Sequence, residues 1–325
     1  MTTIDVHAHL VPAALLADLA AGRTRFPNVR VEPHGESHVV SFVDGPPTRP
    51  VSPGLTDLAQ RGAWLGEQRI ERQLVGGWLD VFGYQLPAAE GADWAEHLTA
   101  AIVEQACEDD RLLPLGTVPL QDPARAAAAL TAQRAAGVPG VMIATRAGGR
   151  ELDDPAFTPF WEAADVSGAI VFLHPGFGGA SERYTDFGLV NGLARLEDTT
   201  VTLARLLYAG IPARYPGVKV IVAHGGAALP YVLGRLTRNH LLHRDSTADP
   251  VESFGHLYFD SVLFDPSTVE FLVAKTGAGR VLLGSDYPFP IGDLTPRAVV
   301  ETANLKPDER SLILGGTAAA LLELS

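Results

Sequence analysis

Ile4-Asp5-Val6-His7-Ala8-His9 reads as a strand that closes on two histidines spaced i and i+2. A strand repeats every two residues, so both imidazoles share one face. Three later apolar runs end in the same way: Val171-Phe172-Leu173-His174-Pro175, Ile221-Val222-Ala223-His224-Gly225 and Leu282-Leu283-Gly284-Ser285-Asp286. Working outward, eight runs have strand character, near Thr3–His9, Arg72–Leu79, Leu112–Pro119, Gly140–Thr145, Ala169–His174, Val218–His224, Leu257–Leu263 and Arg280–Asp286. Helical patterns separate most of them. Trp94–Asp109 and Pro123–Ala136 each follow an Asp suited to capping. Asp154–Val166, Thr199–Tyr215, Leu229–Arg244, Pro266–Thr276 and Pro307–Leu324 come later, the last with a break at Gly315-Gly316. Apolar strands alternating with helices are the pattern of a parallel sheet buried on both faces. Eight such units predict an α/β fold, a closed (β/α)8 TIM barrel, with residues 1–325 forming one domain.

Two connections exceed ordinary loops. Val29–Val43 reads as a hairpin turning at Pro33–Glu36, followed by Pro46, Pro47, Pro50 and Pro53. It belongs to an insertion over about residues 22–62, after the first strand. Gly176–Asp198, after the fifth strand, is rich in glycine and polar residues. Long βα loops shape the active-site mouth of a barrel.

Composition narrows the partners. With 25 Lys+Arg against 38 Asp+Glu the net charge is −13. Nucleic acid and anionic membranes both need clustered cations, so neither is an expected partner. The single cysteine, Cys107, excludes an internal disulfide framework and any multi-thiolate metal cluster. MTTIDVHAHL lacks a basic leader and a long apolar core, and no run approaches the roughly 20 apolar residues of a membrane span. The expectation from composition is a soluble, cytoplasmic α/β protein.

In a closed barrel the polar strand ends converge at the C-terminal mouth. Histidines with a carboxylate form a nitrogen/oxygen set that suits zinc, with iron(II) and manganese as alternatives. A lone His-x-His pair is weak evidence, but four histidines and an aspartate all at strand ends are not. His34 and His38 flank the hairpin turn, His97 is mid-helix, His240 and His243 lie late in a helix, and His256 starts a strand. None of these is assigned to chemistry.

With those residues in place, the chain resembles the amidohydrolase superfamily, and within it the aminocarboxymuconate-semialdehyde decarboxylase-like branch. The matching stretches are Ile4–His9, Gly137-Val138-Pro139-Gly140-Val141, Phe172–Pro175, YPGVKVIVAHGG over Tyr215–Gly226, and GSDYPFP over Gly284–Pro290. The resemblance implies one divalent metal held by His7, His9, His174 and Asp286. It implies His224 as acid/base, with Asp286 as the second catalytic residue, and a homodimer. Arg49 resembles the arginine of the insertion that binds substrate carboxylate, and Arg235 the one that a neighbouring subunit lends. The implied activity is a metal-dependent carboxy-lyase, a decarboxylase of a small aromatic or muconate-type acid. Hydrolysis of a neutral amide, lactone or ester uses the same ligands and is the alternative. A purely structural metal is a third reading; such sites usually fill all four positions with protein groups, often cysteine.

Two departures bear on the substrate. The loop after His174 lacks the tryptophan of the decarboxylase pocket, reading FGLVNGLAR over Phe187–Arg195. The segment Trp78-Leu79-Asp80-Val81-Phe82-Gly83-Tyr84 supplies aromatics instead, with Trp78 as the expected substrate contact. Only three cations are lysines, Lys219, Lys275 and Lys306, and none falls at the end of the fourth strand. Binuclear members of the superfamily commonly bridge two metals with a carboxylated lysine there, so one metal is expected.

Overall fold

The computed structural model describes residues 2–176 and 181–324. Eight parallel strands form the barrel: β1 (Ile4–Leu10), β2 (Arg72–Gly77), β3 (Leu112–Pro114), β4 (Gly140–Ala144), β5 (Ile170–His174), β6 (Lys219–Val222), β7 (Tyr258–Asp260) and β8 (Val281–Leu282). β1, β2 and β3 pair in that order, and β4 to β8 form a second run. Parallel bridges at Gly116/Val141 and Ala8/Tyr287 join the two runs into a ring. The second seam is reinforced where Val6 N–H donates to the Leu283 carbonyl, Asp286 N–H to His7 and His9 N–H to Tyr287. That seam sets β1 beside the segment after β8, so its histidines and Asp286 share a rim.

Strand alternation divides the core. Phe172 and His174 of β5 face the barrel axis, with the Phe172 ring 4.8 Å from that of His7. Val171 and Leu173 point outward to a cluster that includes Phe160, Trp161 and Leu206 of the surrounding helices. The same period places His7 and His9 inside and Val6, Ala8 and Leu10 outside.

Several boundaries differ from the sequence reading. The strands near Leu112–Pro119 and Arg280–Asp286 are shorter in the ladder, because their C-terminal residues leave it to build the rim. At Asp286 the backbone turns left-handed, φ 59°. The helix expected at Trp94–Asp109 runs Ala88–Ala106 and starts after Pro87, so Asp93 is interior and caps nothing. Pro123–Ala135 is capped as expected, with Asp122 accepting from Arg125 N–H. Thr199–Tyr215 instead begins at Arg195, after a turn of π-helix at Val190–Ala194. It ends at Tyr208, and left-handed Gly210 separates the short helix Ile211–Arg214. The last helix is interrupted by a π turn at Leu312–Gly316, the break expected at Gly315-Gly316.

Between β1 and β2 the chain forms the antiparallel hairpin Val29–His34 with Ser37–Phe42, then the helix Leu58–Gln68. The latter buries Arg61 under the barrel mouth, where it donates to the Gln73 side chain and to the His9 carbonyl. Part of the long loop expected over Gly176–Asp198, residues 177–180, lies outside the described residues. No helix among the described residues is long and apolar enough to cross a membrane.

Candidate metal centre

Four side chains from β1, β5 and the segment after β8 meet at the rim. Nε2 of His7 and Nε2 of His9 lie 3.3 Å apart. They sit 3.3 Å and 3.0 Å from Oδ1 of Asp286. Nε2 of His174 is 3.9 Å from the same oxygen. One ligand atom from each of the four falls within 4.8 Å of the others, and all four residues are buried.

The ring nitrogens on the far side fix which atom faces inward. His9 Nδ1 donates to the Gly77 carbonyl at 3.1 Å, and His174 Nδ1 to the Pro175 carbonyl at 2.9 Å. A carbonyl oxygen only accepts, so the proton sits on Nδ1 and Nε2 presents a lone pair. His7 Nδ1 is 2.6 Å from Asp260 Oδ2, and Asp260 Oδ1 accepts from Gly225 and Val262 N–H. Such outer partners orient metal-binding histidines and raise their basicity. His174 Nε2 is buried without any hydrogen-bond partner. Inward lone pairs on His9 and His174, the latter orphaned, beside a buried carboxylate fit a divalent cation. The residues form a metal-binding site.

Electrostatics agree. Burial disfavours charge on His9 and His174 and holds both below the ordinary histidine range. At His7 burial acts the same way, but Asp286 and Asp260 outweigh it and lift its pKa to about 10. Burial opposes charge on Asp286 too, yet His7, His174 and His224 hold it well below the usual carboxylate range. Without a metal, the cluster binds a proton as a substitute cation.

Beneath the ligands, Asp5 accepts from His7 N–H at 3.0 Å, from Ser285 N–H and hydroxyl at 3.1 and 2.6 Å, and from Gln73 at 2.8 Å. This network ties β1 to β2 and to the Asp286 turn. Burial raises the Asp5 pKa to about 6 against those hydrogen bonds.

His224 follows β6 with left-handed φ 56°, and its Nε2 lies 3.6 Å from Asp286 Oδ2. Asp286 thus divides its oxygens, Oδ1 toward the three histidines and Oδ2 toward His224. Two non-glycine residues in this strained region at one site are characteristic of functional loci.

A cavity of about 500 Å³ opens over the centre. Its lining includes His174, His224, Asp286, Trp78, Asp80, Arg49, Arg195 and Phe289. Arg49 lies over the Trp78 and Phe289 rings at 5.4 and 6.0 Å, with Nη2 3.5 Å from Asp80. Arg235 does not line this cavity; it is exposed on the helix Leu229–Leu242 of its own chain.

Sequence reading missed Asp260, Asp5 and Arg195. Asp260 sits inside the apolar run Tyr258-Phe259-Asp260-Ser261-Val262-Leu263, and an acid within such a run was the available signal. Asp5 offered the same signal in β1. Arg195 gave none, because its place depends on the preceding turn.

Comparison with known proteins agrees with this geometry. A curated relative, 2-amino-3-carboxymuconate-6-semialdehyde decarboxylase of Dictyostelium discoideum, is 27% identical over 99% of this chain and 91% of its own length. The solved 5-carboxyvanillate decarboxylase of Sphingomonas paucimobilis superposes with a TM-score of 0.83 at 21% identity, covering 100% of this chain and 99% of its own. A dihydroxybenzoic acid decarboxylase of Polaromonas sp. JS666, solved with bound manganese and the inhibitor 2-nitroresorcinol, gives 0.79 at 21% identity, covering 99% and 97%. These likenesses establish the barrel fold. The amidohydrolase family pattern spans residues 4–324, nearly the whole described chain, and by that match the protein belongs to the amidohydrolase family.

Proposed function

We propose that this protein is a metal-dependent carboxy-lyase that removes CO2 from a small aromatic or muconate-type carboxylic acid. The observation that carries the reading is the wall of the cavity: two guanidinium groups, Arg49 and Arg195, beside Trp78 and Phe289, above the histidine–aspartate cluster. A cationic and aromatic lining suits a flat anionic substrate. Hydrolysis of a neutral amide, lactone or ester has no use for it. The decarboxylase names of relatives aligned over most of the chain support the same choice.

In this reading His7, His9, His174 and Asp286 hold one divalent ion. The ion supplies Lewis acidity, stabilising negative charge on the substrate as it develops. Three nitrogen donors and one carboxylate favour zinc; the manganese in the Polaromonas relative makes manganese the first alternative, with iron(II) behind it. Arg49 orients a carboxylate through its planar fork, and its stacking over Trp78 limits the directions it can take. Trp78 and Phe289 offer ring faces for the substrate.

Decarboxylation breaks the bond between the substrate carbon and its carboxyl group. The electron pair stays on that carbon, which must receive one proton as CO2 leaves. His224 and Asp286 are the candidate pair for that transfer, with Nε2 and Oδ2 at 3.6 Å and both lining the cavity. Arg235 enters the proposal only through a second copy of the chain. Arg235 and Tyr231 lie one helical turn apart, both exposed, and a homodimer is the assembly in which they would be used.

CO2 release from a panel of hydroxybenzoates and muconate semialdehydes, with zinc- and manganese-loaded protein, tests the function. Release from at least one acid is expected. Turnover of neutral lactones or amides with no CO2 from any acid would overturn it.

A further inference from the structure

Arg195 opens the helix Arg195–Tyr208 and lines the cavity, close enough to Asp80 and Arg49 to feel both charges. A guanidinium carries five N–H donors. Among the described residues, none of those on Arg195 has a hydrogen-bond or ion-pair partner, and Nε is fully enclosed. Arg61 and Arg310 also keep an enclosed Nε without a partner, but their remaining donors reach Gln73 and the Ala303 carbonyl; Arg195 differs in having no such contact among the described residues and in lining the cavity. No acceptor among the described residues takes up this guanidinium, which leaves its donors for an anionic group in the cavity that Arg195 lines.

The neighbouring carboxylates are already engaged. Asp80 is 3.5 Å from Arg49. Asp198 is 3.3 Å from Arg146 and accepts from the Thr145 hydroxyl. Residues 177–180, Phe-Gly-Gly-Ala, bring no acidic side chain. Asp286 faces the histidines. Arg49 and Arg195 against Asp80 leave one net positive charge among them. Among the described residues, the other acid in the cavity lining besides Asp80 is Asp286 of the metal centre.

We propose that Arg195 is a specificity-determining residue that binds a second anionic oxygen group on the substrate, distinct from the carboxylate that is lost. The preferred substrates are then acids with another carboxylate or ionised hydroxyl held apart from the scissile one. The inference takes the cavity as the substrate site, in line with the function proposed above, but its test needs no turnover.

Binding of benzoate and of isophthalate to metal-loaded protein is measured by calorimetry for wild type, Arg195→Met and Arg195→Lys, with metal content and circular dichroism as fold controls. Wild type should prefer the dicarboxylate by about tenfold or more, the scale of a hydrogen bond to a charged group. Arg195→Met should abolish that preference while changing benzoate affinity less than about twofold, and Arg195→Lys should restore part of it. If Arg195→Met does not hold metal, the comparison is made with Arg195→Lys, for which a partial loss confined to isophthalate is expected. A wild type without the preference, or a variant that weakens both ligands equally or neither, overturns the proposal. Arginine-dependent isophthalate binding without CO2 release from any acid would leave this inference standing and remove only the decarboxylase reading.

Discussion

At Asp260 a single carboxylate does three jobs: it accepts from His7 Nδ1, from Gly225 N–H in the His224 turn and from Val262 N–H just after its own strand. Asparagine is nearly isosteric, but it removes the negative charge that makes His7 a strong donor. Asp260→Asn should therefore weaken metal affinity by about 10- to 100-fold with the fold retained, as titration with a competing chelator would measure. Unchanged affinity would show that His7 is oriented by packing alone. The ligands and the proton carrier separate in a second pair of substitutions. His174→Ala removes an inward lone pair from a buried cluster, and both bound metal and activity should be lost. His224→Ala leaves the four ligands in place, so metal content should hold while turnover falls by about 100-fold or more. Full activity in either variant would contradict the assignment. The contrast between His224 and the three inward histidines was legible from strand ends only as a shared location. The division of labour comes from Asp286, whose two oxygens face different partners.

Barrel closure rests on close backbone approach as much as on strand composition. Gly140 starts β4, and a Cβ there would collide with the backbone of Ile170 on β5. Gly140→Ala must push two adjacent strands apart, and an overpacking cost of about 2 kcal/mol or more is expected from denaturant unfolding. No loss of stability would mean the ladder shifts freely at this point. The eight strands were readable because each is a short apolar run, and a parallel strand buried on both faces has to be one. Their lengths were not, since apolar residues such as Val118 and Leu283 continue the run in sequence after the strands have ended at Pro114 and Leu282. Pro266–Thr276 and Pro123–Ala135 were readable for a local reason, an Asp cap followed by proline at the first turn. The helix Ala88–Ala106 was misplaced because Asp93 imitates that signal inside a helix that starts at Pro87. The helix beginning at Arg195 was hidden for the opposite reason: a π turn precedes it, and no cap marks the junction. That one boundary decides whether Arg195 is a loop residue or part of the cavity wall.

Across the whole molecule, the metal site clamps β1, β5 and the chain after β8, including the seam where the ring closes. In its absence, burial alone would keep His7 neutral, but the Asp286 and Asp260 carboxylates lift its pKa to about 10 against 6.5 in an unfolded chain. A histidine whose folded pKa is raised stabilises the fold fully below the unfolded value, and that stabilisation is lost as pH rises through the folded one. Metal-free protein should therefore lose stability progressively between about pH 6.5 and 10 through this group. The metal needs the same Nε2 lone pair, so loading at neutral pH displaces the proton. Two linked outcomes follow from that competition. Calorimetry in buffers of different ionisation enthalpy should show about one proton released per metal bound near pH 7.5, and apparent affinity should rise by about tenfold per pH unit there. The thermal stabilisation conferred by a fixed free metal concentration should grow across the same window, since it follows the ratio of metal concentration to dissociation constant. Metal binding without proton release near neutrality would mean that His7 is already neutral in the empty site, with the carboxylates around it balanced by some other charge.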